Sequence, residues 1–281
     1  MISQVSDAYH AADKKVIVVL NIGNVIEMLS WQNKPDAIVL PWQGGQEAGN
    51  ALTDVLLGKV NPSGRLPTTF PVKYGDVPSS DPKLFPGTEE ADADPIVIIG
   101  IEWGKPGTVW YEEGIFVGYR YYDTFNVDVA YPFGYGLSYT SFAITSPIEG
   151  KTIENSAEIT IPVIVKNTGK TAGKQVVQLY VAPPQGNLPK PNKELKAFAK
   201  TKLLAPGESE TLTLQVSRDQ LASFYPEQDA WVLDKGIYTF AVATNINNVV
   251  LSGTLNVPQR EITEKVKANL EPESPLVELS N

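Results

Sequence analysis

Residues 157–167, AEITIPVIVKN, alternate apolar and polar side chains, with Ile159, Ile161, Val163 and Val165 falling on one side. A period of two belongs to a strand with one face in a core and one in water. Pro162 interrupts the run of backbone donors, so the segment is expected at a sheet edge. The segments 173–184, 194–204, 209–217, 236–244 and 248–257 follow, separated by turn signals such as APGE and LDKG. Six or seven short strands in about 120 residues predict a two-sheet β-sandwich of the immunoglobulin or fibronectin type III kind over 143–258. The last stretch, 259–281, is charged and contains proline, and is expected to pack loosely if at all.

The first 142 residues have a different texture. KVIVVLNIG (15–23) and PDAIVLPW (35–42) are apolar runs of the kind found in strands buried on both faces of a parallel sheet. Residues 2–13 read as a helix, and so do 44–58, where Ala51, Leu52, Val55 and Leu56 form a stripe and Gly58 supplies a stop. NVIEMLSW fits either type. Helix, strand, strand, helix is α/β in character but too small for a complete doubly wound sheet. The expected fold is therefore an α/β remnant over 1–142, followed by the all-β sandwich. Residues 72–110 are rich in Pro, Asp, Gly and Ser and read as a long loop, with PIVIIGIEW (95–103) as an extra strand inside it.

Charge and composition narrow the function. Residues 1–142 carry 17 acids against 9 bases, and the whole chain has a formal charge of −9. No basic stripe exists for nucleic acid or an anionic membrane surface. No apolar run reaches the roughly 18 residues that a membrane span requires. With no cysteine, disulfides and thiolate metal sites are excluded. The acidic stretch EEADAD could hold calcium, but it lacks the glycine-centred spacing of a calcium loop and reads as a solvated surface; no metal or cofactor is expected. The single histidine, His10, reads as an exposed helix residue, and the N-terminal residues lack the pattern of a signal peptide.

Six segments carry a resemblance. PWQGGQEAGNALTDVLLGKVNPSGRLPTTFP resembles the segment that closes the α/β-sandwich domain of glycoside hydrolase family 3 enzymes, the β-glucosidases and β-xylosidases. YEEGIFVGYRYYD and YPFGYGLSYTSF resemble that family's junction with its fibronectin type III-like domain. AGKQVVQLYV, KELKAFAKTKLLAPGES and GIYTFAVAT are similar to that last domain. The resemblance covers roughly residues 1–257. It implies an exo-acting, retaining β-glycosidase whose aspartate nucleophile sits on an N-terminal (β/α)8 barrel. It also implies a glutamate acid/base on a loop just before the helix that resembles residues 2–13. Both positions precede Met1, so no catalytic residue is assigned. The chain is expected to be the C-terminal part of such an enzyme and inactive alone. Its expected partners are the barrel half, in cis or in trans, and a β-linked oligosaccharide or glycoside. Family analogy points to a secreted or periplasmic setting. The alternative is a non-catalytic β-sandwich module that binds carbohydrate or protein.

Glu112 and Glu113 are neighbours, which on an extended segment point to opposite sides, a poor geometry for flanking one glycosidic bond. One of them is expected to pair locally, with Arg120 as a partner. Glu47 sits after a buried strand at a helix start, where ligands bind at the edge of open α/β sheets. A capping and dipole role is the preferred reading there, with positioning of the barrel or substrate as the functional one. Trp103 and Trp110 flank the acidic loop and could stack on sugar rings. The tyrosines of YRYYD, with Tyr131 and Tyr135, read as junction packing, and YRYYD reads as a strand with aromatics on both faces. Gly134 and Gly136 mark a sharp turn or a close backbone approach. The resemblance implies that the stiff loop NPSGRLPTTFP leads the chain from the α/β part toward the last domain, and its Arg65 is either an interdomain ion-pair partner or a solvent-facing arginine.

Overall fold

A computed structural model of the chain describes residues 1–186, 188–267, 269 and 277–279. It has a mixed α/β N-terminal part and a β-rich sandwich. In the first part, α1 (Ile2–Ala11) precedes β1 (Ile17–Val19) and β2 (Ala37–Val39), which pair in parallel with Ile17 opposite Ala37. Helix α2 (Ala48–Leu56) follows, and Gly58, at φ 71°, stops it in the left-handed conformation that glycine adopts without penalty. Of the expected stripe, Leu52 and Val55 are half-buried, whereas Ala51 and Leu56 are exposed. Strand β3 (Phe70–Pro71) closes the stiff loop. Phe70 is buried with Leu20 and Met28, and Trp31, Trp42, Leu66 and Tyr131 pack around them. That is a small core, and Ile17 and Val19 remain 49% and 38% exposed.

The long loop is a projecting arm. Strand β4 (Thr88–Glu89) pairs with β7 (Gly107–Thr108), and between them β5 (Val97–Ile98) pairs with β6 (Ile101–Glu102). The single strand expected at 95–103 is thus a hairpin. Ile99 and Gly100, at φ 55° and 74°, turn the chain in two residues, and positive φ at both central positions is the primed turn whose twist suits paired strands. Helix α3 (Tyr119–Thr124) replaces the strand expected for YRYYD. Gly118, at φ 56°, reverses the chain, and a helical turn carries Tyr119 and Tyr122 inward on neighbouring positions. Tertiary packing overrides the β preference of the tyrosines. Strand β8 (Val129–Tyr131) then pairs with β3.

The sandwich contains β9 (Phe142–Thr145), β10 (Thr152–Ile153), β11 (Glu158–Asn167), β12 (Val176–Ala182), β13 (Glu194–Lys200), β14 (Ser209–Ser217), β15 (Ser223–Tyr225), β16 (Ala230–Leu233), β17 (Gly236–Asn245), β18 (Asn248–Val257) and β19 (Glu261–Lys265). A sheet ordered β10-β18-β17-β12-β13 packs on one ordered β14-β11-β9. The alternation in β11 is realised: Ile159, Ile161, Val163 and Val165 are buried, opposite Val216, Leu214, Leu212 and Glu210 of β14. Each such side chain contributes about 1.5–3 kcal/mol by leaving water. Pro162 lies on an edge stretch, because β9 pairs only with Ile164–Asn167. There Ser146 Oγ donates to the Pro162 carbonyl at 2.6 Å. Where the sequence suggests a loose tail, Glu261–Lys265 instead extends the β15-β16 ladder as a third strand. The remaining expectation for the tail falls largely on residues outside those described.

Candidate functional site

Three regions hold the residues singled out by sequence. The first is the crevice at the C-terminal ends of β1 and β2. The loop after β2 runs Pro41–Glu47 and packs on the loop after β1: a Cβ at Gly23 would lie 2.9 Å from Gln43 Nε2. Trp42 sits at φ 58°, a left-handed conformation uncommon for a bulky residue, and its ring packs near Phe70. Glu47 is the N-cap residue of α2, but its side chain makes no hydrogen bond to the helix backbone. Its Oε2 accepts from Asn50 Nδ2 at 2.6 Å, which fixes the exposed carboxylate at the crevice rim. At the other end of these strands, Asp36 accepts from Lys15 Nζ, Val16 N and His10 Nε2, which ties α1 to the sheet through the chain's one histidine.

The second region is the arm. Trp103 is 68% exposed and Trp110 49% exposed, so both offer ring faces to solvent. Lys83 Nζ lies 5.5 Å from the Trp110 ring centroid and 3.0 Å from Glu112 Oε1. The local partner of this carboxylate pair is therefore Lys83, acting on Glu112, and Arg120 is engaged elsewhere. The Glu113 carbonyl accepts from Phe116 N in the turn that follows. Among the described residues, no group of three acidic or histidine side chains is arranged to hold a metal ion.

The third region is the seam between the modules. Arg120 pairs with Glu194 of β13 at 2.9 Å, and Lys193 with Asp123 at 2.6 Å. Tyr119 stacks on Phe133 at 4.7 Å and meets Tyr180 edge-on at 6.0 Å, while its hydroxyl accepts from Leu195 N. Burial pushes the Tyr122 hydroxyl up to about 12. Asn61 of the stiff loop spans the seam with both ends of its amide: Nδ2 donates to the Ala172 carbonyl, and Oδ1 accepts from Ser138 Oγ and Tyr139 N. A Cβ at Gly173 would lie 2.6 Å from Asn61 Nδ2, so glycine is what permits that approach.

Among the described residues, Arg65 crosses the seam without an ion pair. Its Nη2 donates to Gln175 Oε1 at 2.8 Å and its Nη1 to the Gly64 carbonyl at 3.0 Å. The expectation of an interdomain contact through Arg65 meets a neutral amide in place of a carboxylate. Gly136 makes room for this loop, and Gly134 for Gln178 of β12. A Cβ at Gly136 would sit 2.6 Å from Gly64 O, and one at Gly134, which has φ 82°, 2.4 Å from Gln178 Oε1. Leu66 N donates to the Tyr135 carbonyl and Gly134 N to the Leu66 carbonyl, so NPSGRLP and FGYG run as a paired unit. Sequence reasoning missed Asn61, Gln175 and Gln178. For Gln175 and Gln178 the signal was an amide within an apolar strand run, because a buried amide must find partners; Asn61, in a loop, carried no such signal.

Comparison with known proteins gives the same two parts. Residues 1–119 match the glycosyl hydrolase family 3 C-terminal domain, and residues 175–246 a fibronectin type III-like domain. A β-glucosidase of Rhizobium radiobacter is 39% identical over 260 residues, which cover 92% of this chain and 30% of the relative. Thermostable β-glucosidase B of Acetivibrio thermocellus is 36% identical over 252 residues, covering 89% of this chain and 31% of the relative. The structure of β-glucosidase 3B from Thermotoga neapolitana in complex with α-D-glucose superposes with a TM-score of 0.81 at 45% identity, over 92% of this chain and 33% of that one. The chain thus spans about 30% of the length of the relatives it matches.

Proposed function

We infer, for a chain that joins the C-terminal domain of glycosyl hydrolase family 3 to a fibronectin type III-like domain, that it is the C-terminal portion of an exo-acting, retaining β-glucosidase-like enzyme. The observation that carries this reading is the pattern of coverage: some nine-tenths of this chain aligns with about a third of β-glucosidases, through both modules in order. A retaining glycosidase needs a nucleophile and an acid/base carboxyl about 5–5.5 Å apart. In this proposal neither is supplied by residues 1–281, and both stand on the part of the relatives that this chain does not span.

The chain's own residues have supporting tasks. Strands β1 and β2 carry the crevice loops, and the Glu47–Asn50 pair holds the rim against which the barrel half packs. Trp103 and Trp110 offer faces for a sugar ring, since an aromatic face complements the C–H face of a pyranose. The sandwich is clamped through Asn61, Arg65 and Arg120 to the stiff loop and α3. The substrate class is a β-linked glycoside or oligosaccharide. The test is an aryl β-glucoside assay on the chain alone, on the barrel-bearing N-terminal segment of a similar β-glucosidase, and on the two refolded together. Turnover is expected only from the pair. Turnover by the chain alone, lost on Glu47→Gln, Glu112→Gln or Glu113→Gln, would overturn the reading.

A further inference from the structure

We propose that Arg65, Lys174 and Lys200 form an inter-module binding site for a tetrahedral oxyanion of the phosphate class. Arg65 comes from the stiff loop of the first module, Lys200 ends β13, and Lys174 lies two residues before the start of the neighbouring β12. The ladder between β12 and β13 continues one residue beyond its regular part, where Gln175 N donates to Thr201 Oγ1 and Thr201 N to the Gln175 carbonyl, both at 3.0 Å. Lys174 and Lys200 flank that pair, and both are exposed. The Gln175 side chain reaches out of the same pair to hold the Arg65 guanidinium. The charges of Lys174 and Arg65 both act on Lys200, so the three cations lie within electrostatic range of one another at this end of the ladder.

Among the described residues, none of the three has a carboxylate at ion-pair distance. The contrast with the next lysine is direct: Lys202 holds Glu208 at 2.8 Å. Arg65 is half-buried and has only neutral acceptors, and its Nε is enclosed without one. A charge taken out of water is costly unless it is paired. Burial lowers the pKa of Lys200, and the charges of Lys174 and Arg65 lower it further, as expected for cations close enough to repel one another. This concentration of positive charge stands in a chain whose net charge is −9. A compact oxyanion with several acceptor oxygens can take donors from a guanidinium and two ammonium groups at once, and would relieve the repulsion. Binding it would clamp the stiff loop to the sandwich.

Thermal unfolding of the full chain tests this, with millimolar inorganic phosphate set against sodium chloride at equal ionic strength. A sugar phosphate forms a third arm, to distinguish the free anion from a phosphomonoester. Specific binding gives a saturable rise of a few degrees in the unfolding midpoint with phosphate or the ester, and none with chloride. The doubly substituted Lys174→Gln/Lys200→Gln chain changes only exposed side chains and should fold, yet lose that rise. Phosphate also stabilises proteins by exclusion from their surface, but that effect does not saturate and does not depend on two lysines. An equal rise with chloride, or an undiminished rise in the double variant, would overturn the site.

Discussion

Single residues at the seam carry consequences that follow from their contacts. Gly134 combines a positive φ with a neighbour only 2.4 Å from where a Cβ would stand. Gly134→Ala should therefore destabilise the chain by about 1–3 kcal/mol, read from the urea midpoint, since both strain and overpacking act there. Gln175→Ala leaves the half-buried Arg65 Nη2 without its acceptor and should cost about 0.5–1.5 kcal/mol, the usual net contribution of one hydrogen bond. A neutral result would mean that Arg65 is hydrated at no cost. Asp36 gives a pH signature. Its hydrogen bonds from Lys15, Val16 and His10 hold its carboxyl well below the usual carboxylate range. A depressed folded pKa contributes stability above the unfolded value of about 3.9, and this is lost as pH falls below it. Asp36→Asn should flatten the stability curve of the first module below about pH 4 and destabilise it at neutral pH. An unchanged acid limb would show that these hydrogen bonds contribute nothing.

Among the elements, the arm is the one whose strands bury nothing. All strand residues of β4–β7 are exposed, and Ile99 at its tip is 96% exposed. Replacing residues 90–106 by a short Gly-Ser turn should leave the unfolding midpoint within about 0.5 kcal/mol of the parent, as for other changes that touch no packed group. A large loss of stability would mean that the arm packs in solution. The arm also marks where sequence reading stops. The β11 and β14 ladders were legible because one face is buried, and burial imposes a period of two. The hairpin at Val97–Glu102 was not, since a run of isoleucines has no polar partner positions to reveal the fold-back, and only the φ of Ile99 and Gly100 decides it. YRYYD misleads for the opposite reason: its composition favours a strand, while the aromatic contacts of Tyr119 with Phe133 and Tyr180 require a helical turn. Arg65 in its stiff loop leaves two readings open from sequence, an interdomain ion pair or a solvent-facing arginine. That its partner is an amide was not legible, because a neutral acceptor leaves no charge pattern in the sequence.

On the scale of the whole molecule, the two modules are unequal in how much they bury. Strands β1 and β2 are three residues each, pair only with one another among the described residues, and expose Ile17 and Val19. Strands β11 and β12 are flanked within their sheets and carry fully buried Ile161, Val163, Val177 and Leu179. Amide exchange reads local opening, and opening is cheapest where few apolar groups must be exposed. The seam couples the modules through Asn61, Arg65 and Arg120, but these contacts sit on the loop and on α3, not on β1 or β2. The amides of 17–19 and 37–39 should therefore exchange markedly faster than those of 159–165 and 177–181. Refolding with the barrel-bearing half should slow the first set and leave the second unchanged, since only the first gains new neighbours in the proposed assembly. Equal protection in the isolated chain would mean that the small core of Leu20, Met28 and Phe70 suffices by itself. Slowing of the sandwich amides instead would place the barrel half against the sandwich and away from the crevice.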